Sequence, residues 1–256
     1  MVVTATSDES VQPAVAGVRV DVGVATATGR RDSNEDSVLA EGGVYVVADG
    51  MGGHDAGEVA SATAVGTLRA LVGTVPELSQ VVDVLRGAHE RVRDLPSHSS
   101  RRPGTTVTGV VLTEHEGLPC WIVLNVGDSR TYRMVGGVLE QITTDHSEIA
   151  LLVARGLVPA DVAARHPRRH VVTRVLGGGA SEVEPDVWLF PVSPGDRMLA
   201  CSDGLTDELT DRRIQAELRA ADGAQEAADR LVAAALSAGG HDNVTVVVVD
   251  ATVPRR

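Results

Sequence analysis

Several apolar runs in this chain end or begin on an aspartate. Val44-Tyr45-Val46-Val47-Ala48 leads into Asp49-Gly50, Trp121 to Gly127 leads into Asp128-Ser129, and Met198 to Ser202 leads into Asp203-Gly204. A fourth, Asp242-Asn243, opens the run Val244-Thr245-Val246-Val247. One such aspartate is commonly no more than a turn former, since Asp-Gly suits tight turns. Four of them on long buried runs, joined by the pair Glu35-Asp36, call for another explanation. In an antiparallel layout, strand ends and strand starts share a rim, so these carboxylates can gather there. Like charges held close are unfavourable unless protonated or neutralised by cations. Hard oxygen donors with no Cys or His cluster among them suit Mg²⁺ or Mn²⁺ rather than zinc. Arg31 lies just before Glu35-Asp36. Its planar fork can grip a phosphate in bidentate fashion, so beside a cation cluster it implies a phosphoryl substrate.

The elements that must carry these residues follow from periodicity. Val18 to Val24 alternates strictly, as a half-buried strand does, and the runs 44–48, 121–126, 197–201 and 244–249 read as mostly buried strands. Glu41-Gly42-Gly43 and Val135-Gly136-Gly137 are hairpin signals. Ala56 to Leu71, the stretch from Leu78 to Val92 behind Pro76, and Gln225 to Leu236 have helical spacing. Strands in adjacent antiparallel pairs with helices in separate blocks predict an α+β sandwich rather than alternating βαβ units.

Composition bounds the rest. A chain of 256 residues with 43% hydrophobic content can bury one sizeable core, and with only 2% aromatic residues that core must be built from Val, Leu, Ala and Ile. All 23 basic residues are arginine, and the formal charge of −12 argues against non-specific binding of nucleic acid. Cys120 and Cys201 sit inside apolar runs and read as buried thiols in a reducing compartment. Residues 1–16 show neither a signal peptide nor an anchor, and no window is apolar for long enough to span a membrane. The expectation is a cytoplasmic monomer with a single domain at 17–251, a flexible tail at 1–16 and a short tail at 252–256.

Seven segments together carry a resemblance. Arg31-Asp32-Ser33-Asn34-Glu35-Asp36, Asp49-Gly50-Met51-Gly52-Gly53-His54, Gly104-Thr105-Thr106, Asn125 to Arg130, Thr144-Asp145-His146-Ser147, Cys201 to Leu205 and His241 to Thr245 resemble, in order, the motifs of the bacterial type 2C (PPM) protein phosphatases. The resemblance implies a sandwich of two antiparallel β-sheets flanked by helix pairs, four layers in the order α-β-β-α, with a metal site at one end and a flap at about 146–176. It implies two core Mn²⁺ or Mg²⁺ ions and a weaker third. Asp49 would bridge the core ions, Gly50 would offer its carbonyl, and Asp203 and Asp242 would complete the first site. Glu35 would act through a coordinated water with Asp36 in support, and Asp128 would join Asp203 at the third ion. Arg31 would bind the phosphate, and His54 is a candidate for proton transfer. The implied reaction is direct attack on a phosphoserine or phosphothreonine monoester by a metal-bridging hydroxide. Phosphorylated proteins, Ser/Thr kinases among them, would be the partners. The alternative is a catalytically silent phosphoprotein-binding pseudophosphatase, which predicts loss of a metal-site carboxylate.

Within the flap region, Arg155, Arg165, Arg168, Arg169 and Arg174 stand against Glu148 and Asp161 between residues 148 and 174, so five minus two leaves a local +3 in an acidic chain. That island is expected to attract acidic phosphopeptides, acting on encounter rate.

Overall fold

In a computed structural model the chain is described at Val15 and over residues 17–52, 56–97, 102–163 and 166–253. Most of the expected tail at 1–16 lies outside these residues. Val15, within it, is buried against the core.

The order begins with strands β1 (Arg19–Ala27), β2 (Asp36–Glu41) and β3 (Val44–Met51) and helices α1 (Ala56–Leu68) and α2 (Leu78–Arg93). Strands β4 (Gly104–Thr105), β5 (Val107–His115), β6 (Leu118–Val126), β7 (Arg130–Val135) and β8 (Val138–Gln141) follow. The expected flap region holds two short helices, α3 (Glu148–Ala154) and α4 (Ala160–Ala163), and leads into β9 (Leu176–Gly177). The chain then runs through β10 (Asp186–Pro191), β11 (Arg197–Cys201), α5 (Asp203–Thr206), α6 (Asp211–Arg219), α7 (Ala224–Ala238) and β12 (Val244–Thr252).

Every strand pairing is antiparallel. One sheet runs β1-β12-β11-β7-β8, and the other β10-β6-β5-β3-β4-β9 with β2 on the free flank of β3. Three apolar layers result. One lies between the sheets, built by Tyr45, Val47, Val110, Trp121, Val123, Met198, Val247 and Val249. A second packs the five-stranded sheet on α6 and α7, and a third packs the larger sheet on α1 and α2. This is the expected α-β-β-α sandwich.

Because each sheet is covered on both faces, its central strands are apolar at successive positions rather than alternate ones. In β12, Val246 and Val248 face the helix layer while Val247 and Val249 face the opposite sheet. In β3, Val44, Val46 and Ala48 face the helices, and Tyr45 and Val47 the inter-sheet gap. The same period-two rule carries forward to Asp49, which belongs to the gap face.

Strand β11 runs from one end of that gap to the other, and its two ends differ in chemistry. At its start Asp196 is 1% exposed. The Arg133 guanidinium donates to both of its oxygens at 2.9 Å, and Trp121 Nε1 and the Ser193 amide donate at 3.2 and 2.8 Å. That carboxylate is fully paired, and it joins β7 of one sheet to β6 of the other. Its removal would leave Arg133 without a counter-charge. Asp196→Ala is expected to lower the unfolding free energy by about 3 kcal/mol or more, measured by urea denaturation, because one partner of a buried pair is then stranded.

Candidate metal centre

At the other end of β11 carboxyls face one another instead. Asp36 on β2 and Asp49 on β3 are direct partners in the ladder. Both belong to the gap face, so cross-strand geometry sets their carboxyls side by side. Asp203, just past β11, is close enough to Asp49 for the two carboxyls to share a proton. The Asp36 carboxyl has one oxygen, Oδ2, accepting from Ser202 Oγ at 2.8 Å, while Oδ1 is buried with no hydrogen-bond partner.

Burial and mutual repulsion act in the same direction here. The Asp36 carboxyl is pushed up to about 7 by burial first, with the charges of Asp203 and Asp242 adding to it. Asp128 is pushed to about 7 by burial and by Asp203. Asp203 rises to about 6 through burial and the charges of Asp207 and Asp242. Asp49 is raised well above the usual carboxylate range by burial, then by Asp203, Asp36 and Asp128. Without cations the cluster therefore holds protons near neutrality. A set of hard oxygen donors, one of them an orphaned buried carboxylate atom, fits divalent cations of the Mg²⁺ and Mn²⁺ type.

The backbone around the cluster is held closely. The Asp49 amide donates to Thr106 Oγ1 at 3.0 Å, and the Asp49 carbonyl accepts from the Thr106 amide at 2.9 Å and Thr105 Oγ1 at 2.8 Å. The segment Gly104-Thr105-Thr106 is thus a clamp on the Asp49 peptide. Gly50 follows, and a Cβ there would meet the Gly57 carbonyl oxygen at 2.1 Å. A Cβ on Gly57 would meet Glu35 Oε2 at 2.0 Å, so two glycines let α1 approach the Glu35 side chain. Asn243 organises the loop before β2: its Oδ1 accepts from the Glu35 amide at 2.8 Å, and its Nδ2 donates to the carbonyls of Thr28 and Ser33. This satisfied side chain carries Arg31 and Glu35 to the rim beside Asp242.

Arg31 points at a carboxylate. Its Nη2 donates to Asp242 Oδ2 at 2.6 Å, while Oδ1 accepts from the Asn243 amide. The arginine is 60% exposed, so it sits at the mouth of the site rather than inside it.

Two features were not singled out from the sequence. Asp207 stands one helical turn beyond Asp203, and His170 Nδ1 lies 3.3 Å from its Oδ2. His170, Asp203 and Asp207 offer ligand atoms within 4.8 Å of one another. The i, i+4 spacing of Asp203 and Asp207 on one helix face was the available signal. Asn243 was legible only as part of a motif, because its role depends on backbone atoms more than 200 positions away.

His54, expected as a candidate for proton transfer, lies outside the described residues, as does Arg165 of the basic island. The rest of the island is largely compensated. Arg168 pairs with Glu148, Arg174 with Asp186 at 2.7 Å, and Arg169 Nε lies 4.0 Å from Asp207. The local +3 counted along the chain therefore does not translate into an equal patch of free positive charge.

The structure is thus a double antiparallel sandwich with a cluster of raised carboxyls at one rim and an exposed arginine at its mouth. Comparison makes the class specific: residues 26–238 match the family model described as protein phosphatase 2C, and the chain belongs to that family. It is 38% identical over 229 residues to the serine/threonine protein phosphatase PstP of Mycobacterium tuberculosis, which covers 86% of this chain and 42% of that protein. The chain therefore spans less than half the length of that relative. It is 33% identical to the serine/threonine phosphatase stp of Listeria monocytogenes over 238 residues, 86% of this chain and 91% of that one. The solved catalytic domain of PstP in complex with two manganese ions superposes with a TM-score of 0.80, at 34% identity over 92% of this chain and 99% of that one. Among the described residues no helix is long and apolar enough to cross a membrane.

The raised carboxyls make the metal-free protein sensitive to pH. Folded Asp36 and Asp128 hold protons up to about 7, whereas an unfolded chain releases them near the ordinary aspartate value of 3.8. Their contribution to stability is then fully present below the unfolded value and is lost as pH rises through the folded one. In chelator, urea midpoints are expected to fall between about pH 4.5 and about pH 7.5, and Mn²⁺ should restore most of the loss at the upper end. A flat profile across that window would contradict the clustering.

Proposed function

We propose that the chain is a metal-dependent protein phosphatase acting on phosphoserine and phosphothreonine monoesters. The observation that carries this reading is the juxtaposition of Asp36 and Asp49 on one ladder step with Asp203, roofed by Arg31 on Asp242. Asp49, Asp203 and Asp242, with the carbonyl of Gly50, would hold the core cations, and Mn²⁺ or Mg²⁺ suits them equally on ligand type. Glu35 would support that shell through water, and Asp36 would buttress it. Asp128 and Asp203 would share a weaker third cation, with Asp207 near enough to join them. When bound, a divalent pair supplies Lewis-acid charge and acidifies a water at neutral pH.

The chain's own residues do the remainder. The clamp from Thr105 and Thr106 keeps the Asp49 peptide rigid, so the ligand set need not reorganise during turnover. Arg31 is placed to leave Asp242 for a phosphate oxygen, where a planar fork can hold two equatorial oxygens in the transition state. Neither cysteine takes part: Cys201 is buried, and its thiol is pushed up to about 12 by that burial, which removes it as a nucleophile at neutral pH. The phosphoserine and phosphothreonine proteins of Ser/Thr kinase signalling, kinases included, are the substrate class.

The test is phosphate release from a phosphothreonine peptide with Mn²⁺ and then with excess chelator. Turnover abolished by chelator is expected; none in Mn²⁺ or Mg²⁺ from folded protein would refute the reading. Arg31→Ala should lower kcat/KM for the peptide by about ten- to a hundredfold, the worth of a charge-assisted hydrogen bond to phosphate. Asp49→Asn should abolish measurable turnover.

A further inference from the structure

His146 is 7% exposed and lies where three parts of the chain meet. Its Nδ1 accepts the amide hydrogen of Gly127 at 3.1 Å, and its own amide donates to the Gly127 carbonyl at 2.8 Å. Gly127 is the residue before Asp128. It has a φ of +115°, and a Cβ there would meet the Thr106 side chain at 2.5 Å. The turn that presents Asp128 is therefore tight and available only to glycine. Asn125 Nδ2 donates to the same Gly127 carbonyl, and Thr106 Oγ1 and Ser129 Oγ are 2.7 Å apart on the far side of the turn.

The other edge of the imidazole faces Asp186, with Nε2 3.1 Å from Oδ2. Arg174 Nη1 also lies 3.1 Å from Nε2, but it donates at 2.7 Å to Asp186 Oδ1 and to the Glu184 carbonyl. A ring whose Nδ1 accepts an amide hydrogen must carry its proton on Nε2, and that proton goes to the carboxylate. The Arg174 contact is then packing. Burial also lowers the proton affinity of the ring, which favours the neutral form. His146 further joins both ends of the segment holding α3 and α4. Its carbonyl accepts from the Thr173 amide at 2.7 Å, and the next residue, Ser147, bridges to Val172.

We propose that His146 is a positioning residue whose neutral Nε2–H tautomer, set by Asp186, fixes the Gly127 amide and so presents Asp128 to its cation. The backbone carbonyl of the same residue meets the Thr173 amide, so the residue that fixes the Asp128 turn also anchors the base of the 147–172 segment. The inference rests on the reading above that Asp128 holds the weaker cation. The ring resembles a ligand-orienting group one step removed from the metal, and such groups typically change metal affinity by about 10- to 100-fold.

Two near-isosteric substitutions separate the ring's two roles. The amide of His146→Asn falls where Nδ1 lies and can still accept from Gly127, but no longer reaches Asp186. The longer His146→Gln retains a donor for Asp186 and loses the Gly127 acceptor. Mn²⁺ binding is measured calorimetrically on each folded protein, and the weakest class of sites is assigned by its loss in Asp128→Asn. His146→Gln is expected to weaken that class about tenfold or more, with the tighter sites little changed. His146→Asn should stay within about threefold of the parent. Equal shifts in both variants, or none, would overturn the proposal. If Asp128→Asn leaves every class intact, the ligand role of Asp128 falls, and this inference falls with it. Nitrogen NMR of the unmodified protein decides the tautomer without any substitution: a protonated Nδ1 at His146 would rule the arrangement out.

Discussion

Asp36 and Asp49 face each other across one step of an antiparallel ladder, at the rim of a gap whose middle is mostly apolar, with Tyr45, Val47 and Trp121 among its fill. Apolar layers make the dielectric low, and the low dielectric makes two adjacent carboxylates costly to ionise together. Most of the surrounding detail serves to keep them there regardless. Threonines clamp the Asp49 peptide, Ser202 from the opposite sheet reaches Asp36, and Asn243 ties down the loop beside them. The contrast with Asp196 at the other end of β11 shows that burial alone is not the cause. There an arginine and an indole answer the charge; at the rim the answer is left to cations or protons.

The entrance is built on a related competition. Asp242 has one oxygen committed to the Asn243 amide and the other to Arg31. On the proposed reading, drawing Asp242 toward a cation would free the guanidinium, while a cation close to Arg31 would repel it. Charge entering the site and the arginine's readiness for an anion would thereby be linked through a single carboxylate. Among the described arginines around α3 and α4, Arg168, Arg169 and Arg174 face carboxylates of the same surface.

Much of this was legible in the chain, and the parts that were not have physical reasons. Apolar runs ending in aspartate announced β3, β6 and β11 and the rim they share, because side-chain alternation is a local property. The strands β2, β5 and β10 were less visible. Threonine and glycine break the apolar run of β5, and β10 is only half-buried. Charge counting along 148–174 overstated the free positive surface, because the partners Asp186 and Asp207 lie outside that window. Long-range hydrogen bonds from Asn243 and His146 were invisible for the same reason: a side chain's type signals that it can bond, never to what.

A site assembled from mutual repulsion also gives mutational drift a direction. Replacing one buried rim aspartate with asparagine removes a charge from a crowded, dry place while keeping nearly the same shape, so it would relieve strain in the cation-free fold. The sandwich would lose nothing that it needs in order to fold. Descendants of such a chain that kept the sandwich and lost a rim carboxylate would then be downhill in stability and one substitution away.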